Sequence, residues 1–241
     1  QAYNLTRQET VMIPFDWFFA INEFNGTSAG NCREEALCQG ICEIVERHVS
    51  ALVCSDNIRV PGIDPDSAND PMVRQMLAKY RKCGIRLYLS DFTLDMGIAS
   101  VGVLAHDPHT FPRGSEIVWT AGTAPDPQKA LGRALSETAQ LGGDFNTGAN
   151  YVASGLPKLT NIASAEYITA PAAHIHIKDL PDISDDNIRI EVERCIAALS
   201  ERSYEVISVD TTHPGLQLPA LYTLMPGGRC RERAAAASAE R

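Results

Sequence analysis

The chain of 241 residues predicts a mixed α/β domain, with mixed sheets packed against helices. Three observations carry that expectation. Apolar residues recur at three- and four-residue spacing in several stretches of a dozen or more positions. Short runs rich in β-branched and aromatic residues alternate or stay apolar, as strands do. Between them lie clusters of Gly, Pro, Asn and Asp that form turns. The chain is 44% hydrophobic and 21% charged, ordinary for a globular protein, and long enough to bury a substantial core.

Taken in order, the segment VMIPFDWFFAINEF in the first part of the chain combines aromatics and β-branched residues. With Pro14 interrupting it, it predicts an edge segment or two short strands. A Gly-containing turn then leads into a helix over Cys32 to Ser50, with Asn31 as N-cap and Glu34 completing a capping box. NIRVPGIDPDSANDP predicts a loop, and MVRQMLAKYRKCG a helix that stops at Gly84. IRLYLSDF, IASVGVLAHD and EIVWTAGTA predict three strands. Asp126-Pro127, a cap followed by proline at the first helical position, opens a helix that runs to Gly142-Gly143. Residues 144–181 form the least regular stretch. A helix over Asp186 to Arg202 precedes two last strands, YEVISVDTT and one near ALYTLMPG. Residues 1–228 are expected to form a single domain, and 229–241 a disordered tail.

The bulk numbers exclude several classes of function. A net charge of −9 argues against a general nucleic-acid binder, whose affinity comes from neutralising phosphates. No apolar run approaches the roughly 20 residues of a membrane span, and no secretory signal pattern opens the chain. Seven cysteines without a C-x-x-C pair suggest a reducing cytoplasm. Cys38 and Cys42 share a helix face but lack further ligands at useful spacing, and read as small buried residues. His174 and His176 form an H-x-H without a third ligand, and they read as structural, as do His106 and His109. His48 falls on an apolar helix face and reads as a hydrogen-bonded core edge.

The first long helix carries the chemistry. At about 100° per residue, Glu35, Gln39, Glu43 and Glu46 fall within one sector, and Leu37, Ile41, Ile44, Val45 and Leu52 fall opposite. Such an acidic face is either solvated or a cation site. Glu43 and Glu46, three apart, can approach one point, and a hard divalent ion with oxygen ligands would remove their repulsion. The small residues Gly26, Ser28, Gly30 and Asn31 precede the helix, where exposed N–H groups favour anions. The turn lacks the Gly-Lys-Ser/Thr of a P-loop. Farther on, Arg133, Glu137 and Gln140 form a stripe whose simplest reading is an i,i+4 ion pair between Arg133 and Glu137.

Two segments, SAGNCREEALCQGICEIVERH and TAGTAPDPQKALGRALSETAQ, resemble the YcaO family, and SDDNIRIEVERCIAALSERSYEVISVDTTHPGLQLPALYTLMPG is similar to its closing helix and strands. The resemblance implies a YcaO-type ATP-binding fold, with ATP and Mg²⁺ held by carboxylates on helices. It implies activation of a peptide backbone amide by phosphorylation, of the cyclodehydration or thioamidation type. It assigns Glu43 and Glu46 to the metal, Arg47 to phosphate, and Ser28, Asn31 and Glu35 to the nucleotide, with Glu137 and Gln140 contributing from the later helix. INEFNGTSAGN is most similar to the subgroup of accessory factors for methylthiolation of a small-subunit ribosomal protein, which gives a non-catalytic or regulatory role as the alternative. The implied partners are a peptide or protein substrate, a ribosomal protein among the candidates, and a protein that delivers it; the resemblance also admits a homodimer.

This sequence departs from the family pattern at two places. Gly142 stands where Glu-x-x-Gln-x-Arg has its arginine. Only 24 residues precede Asn25, without the family's upstream Ser-x-x-x-Glu-x-x-Glu-Arg helix. The chain starts at Gln1, so a trimmed piece of a longer protein, carrying half the carboxylates and binding ATP weakly by itself, is the expectation.

Overall fold

Two five-stranded sheets face each other across a long helix, and a second helical layer covers the far side of one of them. The computed structural model describes residues 1–22, 25–109, 117–142, 159 and 161–229. Strands β1 (Ala2–Asn4) and β2 (Glu9–Val11) form a hairpin, and α1 (Phe15–Asn22) follows. Strand β3 (Thr27–Ala29) leads into α2 (Arg33–Asp56). After β4 (Gly62–Ile63) come α3 (Pro71–Lys82) and the meander β5 (Arg86–Asp91), β6 (Ser100–His106) and β7 (Ile117–Thr123). Helix α4 (Pro127–Gly142), the short α5 (Glu166–Thr169), β8 (His174–Ile175), α6 (Ile188–Ser200), β9 (Ile207–Asp210) and β10 (Ala220–Leu224) complete the described chain.

The first sheet has the order β2-β1-β9-β10-β3 and is antiparallel throughout. The second runs β7-β6-β5-β4-β8, with one parallel pairing between β4 and β8. Helix α2 packs against β3 and β10 of the first sheet and against β6 and β7 of the second, with α6 beside it. Ile41, Ile44, Val45 and Val49 of α2 meet Leu104 and Trp119 of the second sheet and Leu221 of the first in one core. The opposite face of the second sheet, with Leu89, Val101 and Val103, packs on Val73 and Leu77 of α3 and Leu131 and Leu135 of α4. Covered on both faces, β6 and β7 are buried along their whole length, so they read as apolar runs instead of alternating.

The ends of the helices follow from local chemistry. Asp70 caps α3 by accepting from the Val73 amide at 2.9 Å, Pro71 follows at the first position, and Gly84, at φ +74°, takes the chain away after Lys82. Asp126 accepts from the Gln128 amide at 2.7 Å to open α4. Asn187 does the same for α6 through the Arg189 amide at 3.1 Å.

Three sequence expectations are corrected here. Residues 15–22 are helical, not extended: the strand stops at Val11, and Pro14 precedes a first helical turn carrying Asp16, where a carboxylate suits the helix dipole. The cap of α2 is Cys32, not Asn31, and its Sγ accepts from the Glu35 amide at 3.4 Å. The reciprocal contact shifts by one residue as well, since Glu35 rather than Glu34 accepts from the Asn31 amide at 2.7 Å. The expected loop before α3 contains β4, which pairs with Ser90 of β5 and with His174 and Ile175 of β8. The expected tail beyond Arg229 and, in the irregular stretch after Gly142, residues 143–158 and 160 lie outside the described residues.

Gly122 sits where α4 presses closest on β7. A Cβ there would lie 2.3 Å from the Ala130 carbonyl oxygen and 2.6 Å from the Ala134 nitrogen, both backbone atoms. Gly122→Ala is therefore expected to destabilise the fold by about 1–3 kcal/mol, read as a lower urea midpoint with an unchanged slope.

Candidate nucleotide and metal cleft

The acidic stripe of α2 opens into a cleft of about 470 Å³ at the seam between the two sheets. One wall is β3, the last strand of the first sheet, through Thr27, Ser28 and Ala29; Ala121 of β7, the last strand of the second, contributes opposite. Gln39, Glu43, Glu46 and Arg47 enter from α2, and Arg133 and Glu137 from α4. Two glycines let α2 lie this close to the first sheet. A Cβ on Gly40 would stand 2.3 Å from the Thr223 hydroxyl, and one on Gly26, at φ +83°, would stand 2.1 Å from the Thr223 carbonyl oxygen. Ser28 ties the strand to the helix by donating from Oγ to the Ala36 carbonyl at 2.7 Å.

The glutamates are not a solvated face. The Glu46 side chain is 14% exposed and that of Glu43 30%, beside Arg47 at 23%. Arg47 sits between them, with Nε 3.9 Å from Glu43 and Nη2 3.9 Å from Glu46, beyond hydrogen-bonding distance. Burial pushes the Glu46 carboxyl up to about 8; the Arg47 charge opposes the shift, and the neighbouring Glu137 and Glu43 add to it. Burial also raises Glu43, against Arg47 and a backbone hydrogen bond from Gly26, and it raises Glu137 against Arg47. Three carboxyl groups thus share one desolvated space with two guanidinium groups.

Of the residues singled out in the sequence, Ser28, Glu43, Glu46, Arg47 and Glu137 line this cleft together. Asn31 and Glu35 do not. They bond each other at the start of α2, through the Asn31 amide at 2.7 Å and its side-chain nitrogen at 2.9 Å. Gln140 lines an adjoining groove of about 550 Å³ between α3 and α4, which shares Arg133 and Glu137 with the cleft. Arg133 is the residue that sequence reasoning set aside. Its simplest reading, an ion pair with Glu137, is not what the structure holds. The guanidinium donates to the Thr123 carbonyl at 2.7 Å, and no salt bridge within 4.0 Å joins it to Glu137 among the described residues. The signal lay in its register: Arg133 and Glu137 are one helical turn apart on the face turned to α2.

The other candidates have structural roles. His48 is 3% exposed; its Nδ1 accepts from the Arg229 amide at 2.8 Å and Nε2 lies 3.2 Å from the Tyr204 hydroxyl. Cys38 and Cys42 are buried in the core, as expected. His174 and His176 are exposed, and no group of three metal-ligating side chains is found among the described residues.

A sequence model of YcaO cyclodehydratases, described as ATP- and Mg²⁺-binding, matches residues 1–229. The chain belongs to the YcaO family. A heterocyclase solved in complex with substrate and cofactor superimposes with a TM-score of 0.79 at 27% identity, over 95% of this chain and 33% of that one. YcaO from Methanopyrus kandleri, bound with AMPPCP and Mg²⁺, superimposes with a TM-score of 0.75 at 26% identity, over 94% of this chain and 63% of that one. The Escherichia coli YcaO, a ribosomal protein S12 methylthiotransferase accessory factor, is 30% identical over 139 residues, 56% of this chain and 23% of its own length. This chain thus spans less than two thirds of each of these YcaO relatives. The family's cofactors are ATP and Mg²⁺, and the donor set fits them. Mg²⁺ takes one or two carboxylates and completes its shell with water and phosphate oxygens, so the partly exposed Glu43 and Glu46 suit it although the described residues hold no ready-made group of three ligands; the arginines suit phosphate.

The raised Glu46 carboxyl has a consequence for the ligand-free protein. Folding holds its proton more tightly than the unfolded chain does, so its share of stability is full below about pH 4.5 and is lost as pH rises through about 8. Glu46→Gln keeps the shape and removes the charge. In metal-free buffer it is expected to raise the melting temperature at about pH 8.5 by several degrees and to leave it nearly unchanged near pH 4.5. Calorimetric scans at the two pH values check this, and an equal shift at both would contradict it.

Proposed function

We propose that the cleft is the Mg²⁺–ATP site of a protein that activates a peptide backbone amide. The observation that carries this reading is the convergence of Glu43, Glu46 and Glu137 with Arg47 and Arg133 in one desolvated cleft. The supporting comparisons are the ATP- and Mg²⁺-binding family and the relatives solved with AMPPCP and Mg²⁺ or with substrate and cofactor.

In this reading Glu43 and Glu46 hold the cation, and Glu137 faces it from α4. Arg47 and Arg133 neutralise phosphate oxygens, and their fixed positions set the direction in which charge is stabilised. Ser28, Asn31 and Glu35 hold the nucleotide at the start of α2, with Asn31 and Glu35 releasing part of their mutual contact to do so; Gln140 contributes from α4. When bound, ATP supplies a γ-phosphoryl group to the oxygen of an amide attacked by a nucleophile, so that this oxygen departs as phosphate and leaves a ring or a thioamide. Direct expulsion of an amide oxygen is slow because it is a poor leaving group, and positioning with charge neutralisation is what a protein adds. The substrate class is a peptide or protein, presented by a partner or by a second copy of the chain. The compartment is the reducing cytoplasm, which suits the buried thiols Cys38, Cys42 and Cys195.

A second reading, an accessory role in methylthiolation of a ribosomal protein, rests on the identity with the Escherichia coli factor. Phosphate release that depends on a peptide, accompanied by a mass change in that peptide, separates the two. Both readings predict that Glu46→Ala weakens Mg²⁺–ATP binding to the full-length protein by at least about tenfold. Isothermal titration tests this, and equal affinity in variant and parent would remove Glu46 from the site.

A further inference from the structure

The groove between α3 and α4 opens into the cleft at Arg133 and Glu137, which line both. Its surface is of a different kind. Met72, Val73, Met76 and Leu141 make it apolar, Lys129 and Asp70 bring one charge of each sign, and Gln140 adds a neutral amide. Met72 is 61% exposed, and thioether side chains adapt to varied apolar partners. With Arg133 and Glu137 at its mouth the groove carries two cations and two carboxylates, a balance that suits the N–H and C=O groups and apolar side chains of a polypeptide better than a phosphate, which the carboxylates would repel.

Gly132 adds an independent observation. It lies in the interior of α4 on the wall of this groove. Among the described residues a Cβ there would meet only Val73 Cγ2 at 3.5 Å, an ordinary contact. At Gly122 and Gly40 the backbone or a packed side chain requires glycine, but at Gly132 nothing in the packing does. Glycine inside a helix is less stable than alanine. The sequence keeps a helix-weakening residue whose effect is to leave the groove open.

We infer that this groove is the peptide-substrate subsite, holding an extended segment with an apolar side chain against Met72, Val73 and Met76 while the adjoining backbone amide enters the cleft past Arg133 and Glu137. The inference rests on the reading of the cleft as a Mg²⁺–ATP site that activates amides.

The test uses the full-length protein labelled with ¹³C-methyl methionine, titrated separately with two probes. One is the blocked peptide acetyl-Gly-Leu-Cys-Leu-Gly-Ala-amide, and the other is Mg²⁺–AMPPCP. The peptide is expected to shift the Met72 and Met76 methyl signals saturably. Gly132→Leu, which fills the groove, should weaken that binding by about tenfold or more and leave Mg²⁺–AMPPCP affinity within about twofold. Gly132→Ala should weaken it less, at a melting temperature no lower than the parent's. Absence of peptide-dependent shifts up to millimolar peptide would overturn the inference. Unchanged peptide affinity in Gly132→Leu would do so too, as would Met72 and Met76 signals moved by the nucleotide alone, which would give the groove to the base. Because the peptide titration contains no nucleotide, a protein that binds the peptide but not Mg²⁺–AMPPCP refutes the reading of the cleft and leaves the subsite standing.

Discussion

Three carboxyl groups gathered in a desolvated space are the constraint around which this fold is arranged. Each loses hydration on folding, and each raises the others' affinity for protons. Arg47 offsets part of that cost from 3.9 Å, too far for a hydrogen bond to Glu43 or Glu46. The arrangement stays unfavourable for a fully ionised cleft, and the cleft must either hold a proton or take up positive charge. A doubly charged ion with oxygen preference is one way to meet that need.

The position of the cleft follows from how the layers end. Helix α2 is covered by the first sheet on one side and the second on the other, and both sheets stop where its acidic stripe emerges. Strands β3 and β7 are the last strands there, so their side chains form walls instead of continuing a sheet across the opening. Ile41, Ile44, Val45 and Val49 of α2 pack in the core between the sheets, and Gln39, Glu43 and Glu46 line the cleft. Gly26, Gly40 and Gly122 set the spacing, by letting α2 approach β10 and α4 approach β7 without intervening Cβ atoms. A site built this way sits on rigid elements and needs no loop to assemble its carboxylates.

Much of this was legible in the sequence, because helical periodicity fixes direction. The azimuths of Ile41, Ile44 and Val45 against Glu43 and Glu46 separate core from cleft before any tertiary contact is known. Spacing alone did not distinguish a wet acidic face from a buried one, since that difference is made by β3 and β7, remote in sequence. The cap of α2 was read one residue early because Asn is the stronger capping type, whereas the backbone places extended geometry at Cys32 and aligns Glu35 with Asn31. The aromatic run before Asn22 suggested strand, and the placement of Pro14 decided for helix. β4 and β8 are two residues each and carry no periodic signal, so pairing defines them, with each other and, for β4, with β5.

The case of Arg133 shows why a local rule can point the wrong way at a functional site. Four residues before Glu137, it satisfies the spacing of a helical ion pair, and such a pair on an exposed helix would contribute a few tenths of a kcal/mol. Here the carbonyl of Thr123, at the end of β7, accepts its Nη1 proton at 2.7 Å, and no salt bridge joins the guanidinium to Glu137 among the described residues. Glu137 is left with Arg47 as the cation that opposes its raised proton affinity. Pairing the two would have neutralised the α4 wall and weakened its pull on a metal ion. Keeping them apart preserves a negative centre and a positive one within the same cleft, which is the pattern that a cation and a phosphate chain together require.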